Sequence, residues 1–240
     1  MTLPAPERLL AAMDATWPAV RFIRQGPWML REGQGGGQRV SSATAVDRIA
    51  PGEIEVAETA MRELGQVPLF QIRPGDEALD ADLAGAGYSI KDPVNLYAAG
   101  IGEFGFEPGG SVATITAWPL PAMARRIWHE GGIDTGRLAV MERPAGPKTA
   151  FLARLGQVPA GVAYAAIAGD IAMIHAIEVR NACRRKGVAE SILQSFLGWA
   201  QDMGAWTLAL AVTKENFAAN ALYAKRRMAV VTHYHYRRGQ

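Results

Sequence analysis

Hydrophobic and polar positions alternate along the chain with two periods, one of three to four residues and one of two. The first period is that of a helix with one buried face, and the second is that of a strand. For the first half the pattern predicts, in order, helix 7–14, strands 27–31 and 38–44, helix 53–64, strand 67–72, helix 76–86 and strand 93–99. The glycine-rich stretch 33–37 is predicted to form a hairpin loop between the first two strands.

The second half has the same mixed pattern after a predicted linker at residues 107–110. The segments predicted there are strand 111–117, helix 119–130, strands 149–154, 161–168 and 171–179, helix 187–203, strand 206–212, helix 217–225 and strand 229–236. This order indicates an α/β (α+β) fold, with a mixed, mostly antiparallel sheet flanked by helices and one crossover helix. A chain of 240 residues has room for two lobes, which we expect at residues 1–108 and 109–240.

A faint internal repeat relates the two halves at an offset of 140 residues. It aligns strand, helix and terminal strand, so that Ile72 corresponds to Val212 and Leu83 corresponds to Tyr223. Duplication of one α/β unit and chance similarity of two such units both account for it.

Composition narrows the class of protein. The hydrophobic fraction of 49% indicates a globular chain, and the net charge of +2 gives no basic field of the kind that attracts nucleic acid. The single cysteine, Cys183, excludes an internal disulfide and fits a reducing compartment. No secretory signal is evident at the N-terminus, so we expect a soluble cytoplasmic protein.

The most informative stretch is residues 177–189, where a predicted strand ends, three cations and a glycine follow, and a long helix begins. The N-terminus of a helix presents free backbone N–H groups and a partial positive charge, which favour a phosphate group. Gly187 allows a ligand to approach the backbone closely. A solvated basic turn before a surface helix is the alternative interpretation.

The pattern Arg184-x-x-Gly187-x-Ala189 after a strand resembles the signature of the GNAT superfamily of acyl-CoA-dependent N-acyltransferases. The resemblance implies that the loop cradles the CoA pyrophosphate, and the main chain at Ile177 and Val179 would pair with the pantetheine arm. The loop residues concerned are Arg184, Arg185, Lys186, Gly187, Val188 and Ala189. The resemblance also implies two tandem GNAT-like lobes, of which the first is degenerate.

A second cluster, Asn216 followed by Ala221-Leu222-Tyr223, resembles the closing motif of the same family. The resemblance implies that Asn216 contacts the pantetheine region and that the Tyr223 hydroxyl protonates the leaving thiolate. The alternatives are a helix N-cap for Asn216 and a packed aromatic for Tyr223. Arg226 and Arg227 replace the usual residues of the following turn, and they either help to hold phosphate or face water.

His175 occupies the place of a histidine that is implicated in proton removal in arylalkylamine N-acetyltransferases, which the sequence resembles here. Strict alternation along the strand predicts that His175, Ile177 and Val179 share one face and that Glu178, a weaker candidate for the base, takes the other. A histidine satisfied by its neighbours in the sheet is an equally good interpretation. An acyl-cysteine route through Cys183 is disfavoured, because this residue lies in the phosphate loop.

The first half lacks a matching phosphate loop and has Leu83 at the tyrosine position. Its segment Gly26-x-Trp28-x-Leu30-Arg31, with a later Arg39-x-x-Ser42, resembles the front portion of two-lobed bacterial GNAT proteins. The resemblance implies that this half walls the acceptor pocket or stabilises the other lobe.

Together these features predict an N-acetyltransferase that moves an acetyl group from acetyl-CoA to a primary amine by direct attack. The acceptor is expected to be a small-molecule or peptide amine, with no metal, nucleic-acid or membrane partner. The alternatives are an acyl-CoA-binding sensor or scaffold without catalysis, and a nucleic-acid-binding domain supported only by the arginines at 226, 227, 237 and 238. The sequence leaves the oligomeric state open, including a homodimer.

Overall fold

The computed structural model describes residues 2–105 and 112–239. The linker predicted at 107–110 and the first residue of the strand predicted at 111–117 lie outside this part of the chain. The helices are α1 (Pro6–Thr16), α2 (Glu53–Glu63), α3 (Glu77–Gly85), α4 (Ala122–Glu130), α5 (Thr135–Glu142), α6 (Val188–Asp202) and α7 (Phe217–Lys225). The strands are β1 (Arg21–Gln25), β2 (Trp28–Glu32), β3 (Thr44–Ala45), β4 (Leu69–Ile72), β5 (Ser89–Gly100), β6 (Val112–Ala117), β7 (Lys148–Leu155), β8 (Val158–Ala168), β9 (Ile171–Val179), β10 (Thr207–Thr213) and β11 (Ala229–Arg238).

Eight strands form one sheet in the order β4-β11-β5-β10-β9-β8-β7-β6. All neighbouring strands in it are antiparallel except β9 and β10, which are parallel and are joined by the crossover helix α6. A three-stranded sheet, β1-β2-β3, lies beside β4 through a bridge between Ala43 and Phe70. The predicted fold class, a mostly antiparallel sheet flanked by helices, is confirmed.

The last strand of each half pairs with the other half. β5 lies between β10 and β11, with Leu210 opposite Tyr97, and β11 lies between β5 and β4, with His235 opposite Ile72. The 140-residue offset relates the bounds of α3 to those of α7 without any shift. The structure thus repeats the β-α-β unit that the sequence suggested, and the division at residue 108 remains a prediction, because strands from both sides of it share one sheet.

Two apolar layers cover the two faces of the large sheet. On one face, Ile192, Leu193 and Phe196 of α6 pack on the central strands together with Tyr223 of α7. On the other face, α1 and α4 pack on the same strands. Burial of this apolar area is the main term that stabilises the fold, and it fixes α6 and α7 on the same side of β9 and β10.

Three local features differ from the prediction. Residues Gln38–Val40 form a 3₁₀ turn instead of a strand, and β2 pairs with β1 through a hairpin at Gly26, where φ is +55°. The helix α5 was missed, although Asp134 caps it by accepting a hydrogen bond from the Arg137 backbone N–H. β1 escaped prediction because its burial is slight, so its sequence has no clear hydrophobic alternation.

Candidate active site

A groove of about 700 Å³ lies where the end of β9, the start of α6 and the helix α7 meet. Its lining includes most of the residues that the sequence singled out, namely Ile177, Val179, Arg184, Arg185, Gly187, Val188, Ala189, Asn216 and Tyr223. Two predicted residues, His175 and Lys186, do not line it. Lys186 turns back onto its own loop and donates a hydrogen bond to the carbonyl oxygen of Ala182.

The groove exists because β9 and β10 separate. Their parallel pairing runs only from Thr207–Ile171 to Leu210–Ile174, whereas both strands continue beyond it. On the β10 side, the backbone of β9 after Ile174 therefore has no partner strand in the described part of the chain. Main-chain groups at such a gap are available to an extended ligand that carries amide groups, because a buried polar group needs a partner.

The N-terminus of α6 opens into the groove without a side-chain cap. Gly187 lies at the N-cap with φ of +80°, a conformation that glycine adopts without strain. The first-turn N–H groups of the helix and the exposed side chains of Arg184 and Arg185 give this end a positive potential. The arrangement suits a phosphate group, because no side chain occupies the acceptor position at this helix end.

The opposite wall is α7, whose N-cap is Asn216. The Asn216 side chain accepts a hydrogen bond from the Ala219 backbone N–H at 3.1 Å, as the capping interpretation predicted. Tyr223 is 6% exposed, and burial raises the pKa of its phenol. Among the described residues none makes a hydrogen bond with its hydroxyl. The Tyr223 side chain is therefore a neutral proton donor at the wall of the groove.

A β-bulge changes which face of β9 each side chain takes. Ala176 has φ of +51°, and the register with β8 shifts between Val162–Glu178 and Tyr164–His175. Because the bulge inserts one residue, Ile177 and Val179 pack toward α6, whereas His175 stacks with Tyr164 on the other face. The prediction that His175 shares a face with Ile177 and Val179 was wrong, since it assumed a strict two-residue period.

Both ring nitrogens of His175 are engaged. Thr16 Oγ1 donates to the Ala12 carbonyl, so it accepts from His175 Nε2 at 2.9 Å. Arg39 Nη1 donates to His175 Nδ1 at 3.2 Å. Burial and, second, the Arg39 guanidinium hold the pKa of His175 well below its usual range. The histidine satisfied by its neighbours, one of the two interpretations of the sequence, is the one that matches this geometry.

Glu178, two residues after the bulge residue Ala176, is also a lining residue of the groove. Its side chain is 21% exposed and lies 3.6 Å from Arg184 Nη2. Burial raises the pKa of this carboxyl, and the Arg184 guanidinium opposes that shift. A β-carbon at Gly131, in the turn after α4, would overlap the carboxyl group, so the glycine makes room for it.

The first half also contributes to the site, which the sequence did not show. Tyr97 on β5 packs its ring at 5.7 Å from that of Tyr223, and its hydroxyl donates to Asn220 Oδ1 at 3.0 Å. Asn95 of the same strand donates to Asn220 as well. No local motif marks Tyr97 and Asn95, because their role depends on the insertion of β5 beside β10.

Arg226 neither faces water nor reaches the phosphate loop, contrary to both expectations. It is 6% exposed, and its Nη2 pairs with Glu190 at 2.8 Å on the first turn of α6. Its Nη1 donates to the carbonyl oxygen of Gly105. The residue thus ties α7 to α6 and offsets the one carboxylate that stands at the helix N-terminus.

Residues 114–227 match the Acetyltransferase (GNAT) family. The segment 114–227 therefore belongs to the GNAT superfamily. The chain is 26% identical over 249 residues to an uncharacterised N-acetyltransferase of Bacillus subtilis, YobR, and the match covers 96% of each chain. Membership in this superfamily supports acyltransferase activity.

Solved structures show the same fold at low identity. A GCN5-related N-acetyltransferase from Kribbella flavida matches 100% of this chain and 97% of its own, with a TM-score of 0.72 and 19% identity. A tandem GNAT protein from the clavulanic acid biosynthesis pathway matches 82% of this chain and 74% of its own, with a TM-score of 0.59 and 13% identity. The second comparison shows that tandem GNAT chains share this architecture.

Residues 2–105 and 112–239 lack two kinds of structural feature. No helix there is both long enough and apolar enough to cross a bilayer. No group of three or more His, Cys, Asp or Glu side chains is placed to hold a metal ion. The imidazole of His235 on β11 lies 2.8 Å from the carboxylate of Asp80 on α3.

Proposed function

We propose that the protein transfers an acetyl group from acetyl-CoA to a primary amine within a ternary complex. The observation that carries the proposal is the single groove that joins an uncapped helix N-terminus, an unpaired strand edge and a buried tyrosine. The α6 end, with Arg184 and Arg185, would hold the pyrophosphate. The β9 main chain at Ile177 and Val179 would pair with the pantetheine arm, with Asn216 at the facing wall.

The reaction proceeds by one substitution at the thioester carbonyl. The uncharged amine nitrogen forms a bond to the carbonyl carbon, the carbon–sulfur bond breaks, and the sulfur leaves with the electron pair. Tyr223 donates its hydroxyl proton to that sulfur, so the products are the N-acetyl amide and the free thiol. The amine proton passes to a base, whose proton later returns to Tyr223 through solvent, so no proton is gained or lost overall.

We assign the base to Glu178 and not to His175. A base needs a free lone pair directed at the site, and the His175 Nδ1 lone pair already accepts a hydrogen bond from a guanidinium. Glu178 lines the groove, and burial raises the pKa of its carboxyl group. The higher pKa makes the carboxylate a stronger base. The carboxylate acts directly or through one water molecule.

Calorimetric titration with acetyl-CoA tests the binding part of the proposal, using a pair of variants matched on one helix. Gly187 and Gly204 lie at the two ends of α6 with φ of +80° and +76°, and neither would have an atom within 4 Å of an added β-carbon. Both Gly→Glu changes therefore impose the same backbone strain, but only Gly187→Glu puts a carboxylate at the phosphate end.

The expected result is one-site binding by the wild type and by Gly204→Glu, with affinity at least about tenfold weaker for Gly187→Glu. A folded wild type that does not bind, or equal affinity for all three proteins, contradicts the proposed cofactor site. Release of free thiol in the presence of a panel of primary amines then tests turnover. Binding without release from any amine would indicate an acyl-CoA-binding protein without catalysis.

A further inference from the structure

A cluster of three arginines lies on the face of the sheet opposite α6, between α1, β2, the turn at residues 38–40 and the end of β4. We call it the arginine cluster; it consists of Arg31, Arg39 and Arg73 together with the neighbouring Asp14 and Tyr234. Arg31 is 2% exposed and donates two hydrogen bonds to Asp14, at 3.1 and 2.7 Å. Its remaining N–H groups meet Ser42 and Thr44. Arg31 is therefore fully paired and uses most of the Asp14 charge.

The other two guanidinium groups are less well matched. Arg73 Nη2 stands 3.9 Å from Asp14 Oδ2 and is buried without a hydrogen-bond partner. The Asp76 carboxylate, which also accepts a hydrogen bond from the Arg73 backbone N–H, offsets part of the Arg73 charge by electrostatic attraction. Arg39 has no ion pair with a described carboxylate. Its Nη1 donates to His175, and its buried Nε has no partner among residues 2–105 and 112–239.

A partly buried cation without an anionic partner is costly, since burial removes the water that would solvate it. Stable cores avoid such groups, so a cation kept in this state has a use that repays the cost. Tyr234, Tyr236 and His175 stand near Arg39 without a negative charge, and the nearby carboxylate of Asp14 already accepts two hydrogen bonds from Arg31. The fork of N–H groups on Arg39 matches the two oxygens of a carboxylate.

The position of Arg39 connects the cluster with the groove. Arg39 touches His175, which precedes the bulge residue Ala176, and Ile177 after the bulge lines the groove. Arg39 therefore contacts the side chain of a β9 residue, His175, directly after the point where β9 and β10 separate. A small molecule that reaches this gap from the α1 face would have its amine near the gap and a second polar group near Arg39.

We infer that Arg39, assisted by Arg73, binds the carboxylate of the amine acceptor. The acceptor class is then the free amino acids and other small amino-carboxylic acids, in which a primary amine and a carboxylate are a few atoms apart. The inference rests on the proposed function for the acetyl transfer, but the carboxylate site itself is a statement about binding. A compound that differs only by an amide in place of the carboxylate lacks the charge that Arg39 requires.

The experiment compares amino acids with their primary amides. The common amino acids and short ω-amino acids, each beside its amide, are titrated calorimetrically into protein saturated with CoA. The same pairs are assayed as acceptors of the acetyl group. The variants are Arg39→Gln, Arg39→Lys and, as a control, Arg21→Gln, which removes an exposed cation from β1. Thermal melts establish that each variant is folded.

For at least one pair, the wild type should bind the acid at least about tenfold more tightly than the amide. Arg39→Gln should abolish this preference, Arg39→Lys should restore part of it, and Arg21→Gln should retain it. Equal affinity for every acid and its amide, no binding of any pair, or a preference that survives in folded Arg39→Gln overturns the inference. Acid binding that depends on Arg39, without acetyl transfer, refutes the proposed function and leaves the carboxylate site standing. Transfer of the acetyl group to acids and amides with equal efficiency refutes the carboxylate site and leaves the proposed function standing.

Discussion

The ring of Tyr97 packs against the ring of Tyr223 with 5.7 Å between their centroids, although the two residues belong to opposite halves of the chain. β5 brings Tyr97 to this place because it is inserted between β10 and β11. The first half of the chain therefore forms part of the wall behind the candidate acid. Its contribution to the site is structural and direct, beyond the accessory role that its missing phosphate loop suggested.

Replacing Tyr97 with leucine should lower turnover by about 10- to 100-fold, because Tyr223 loses the surface that fixes its ring. Acetyl-CoA affinity should stay within about threefold of the wild type, since Tyr97 does not line the groove. Tyr97→Phe is the matched control, as it keeps the ring and removes only the hydrogen bond to Asn220. Steady-state kinetics and calorimetry measure both quantities, and equal turnover for Tyr97→Leu and wild type would contradict the role.

Tyr223→Phe removes the hydroxyl and keeps the packing of the ring. If the hydroxyl protonates the leaving thiolate, turnover should fall by about 10²- to 10⁴-fold while acetyl-CoA affinity is retained. Thiol release measures the rate, and titration measures the affinity. Unchanged turnover would remove the assigned role and leave Tyr223 as a packed aromatic.

Glu178→Gln should lower turnover by about 10²-fold or more, because the amide cannot accept the amine proton. In the wild type, kcat/KM should rise with pH through the elevated pKa of this carboxyl, and the variant should lose that rise. His175→Gln should keep it. The pH dependence of kcat/KM in the three proteins distinguishes the two candidate bases. If His175→Gln, and not Glu178→Gln, loses the rise of kcat/KM with pH, the base is His175.

His175 should make folding stability depend on pH. Its pKa is lowered in the folded state, so below about pH 6.5 the unfolded chain binds a proton that the folded chain does not. The free energy of unfolding should therefore decrease as the pH falls from 6.5, by up to about 1.4 kcal/mol per pH unit. Denaturant titrations at several pH values test this slope, which His175→Gln should reduce and the exposed-site change His129→Gln should not. Equal slopes in all three proteins would contradict the burial of a neutral His175.

Residues 109–240 alone should fail to fold cooperatively, because this segment lacks β5 and leaves the facing edges of β10 and β11 unpaired. Calorimetry should show no sharp unfolding transition, and acetyl-CoA should not bind. Co-expression of residues 1–105 with residues 112–240 should restore both properties by supplying β5. Cooperative unfolding with ligand binding by 109–240 alone would show that the second lobe is independent.

The sequence was sufficient where short-range chemistry decides the structure. Gly187, which follows three consecutive cations, and Asn216 before α7 mark two helix starts, and those starts form the groove. The sequence was insufficient where one inserted residue changes which face of the sheet the following side chains of a strand take. The bulge at Ala176 leaves no compositional mark, so alternation assigned His175 to the wrong face.

Long-range pairing was also beyond the sequence. Asn95 and Tyr97 lie in a segment without a motif, and they reach the wall behind Tyr223 only because β5 becomes a neighbour of β10. Arg39 belongs to the pattern Arg39-x-x-Ser42, which resembles the front portion of two-lobed bacterial GNAT proteins but gives the arginine no role. Its significance depends on the absence of a described carboxylate partner, a property of the packed structure.

The exchange of β5 and β11 between the two halves limits how genes for such chains can recombine. Recombination in the middle of the gene would combine β5 from one parent protein with β10 and β11 from another. These three strands would then have to pair in one register although they did not evolve together. Substitutions on these strands are therefore inherited as a set. If Arg39 binds the acceptor as inferred, single substitutions in the turn at residues 38–40 should change the acceptor, whereas replacement of a whole half would disrupt the sheet that holds Tyr223 in place.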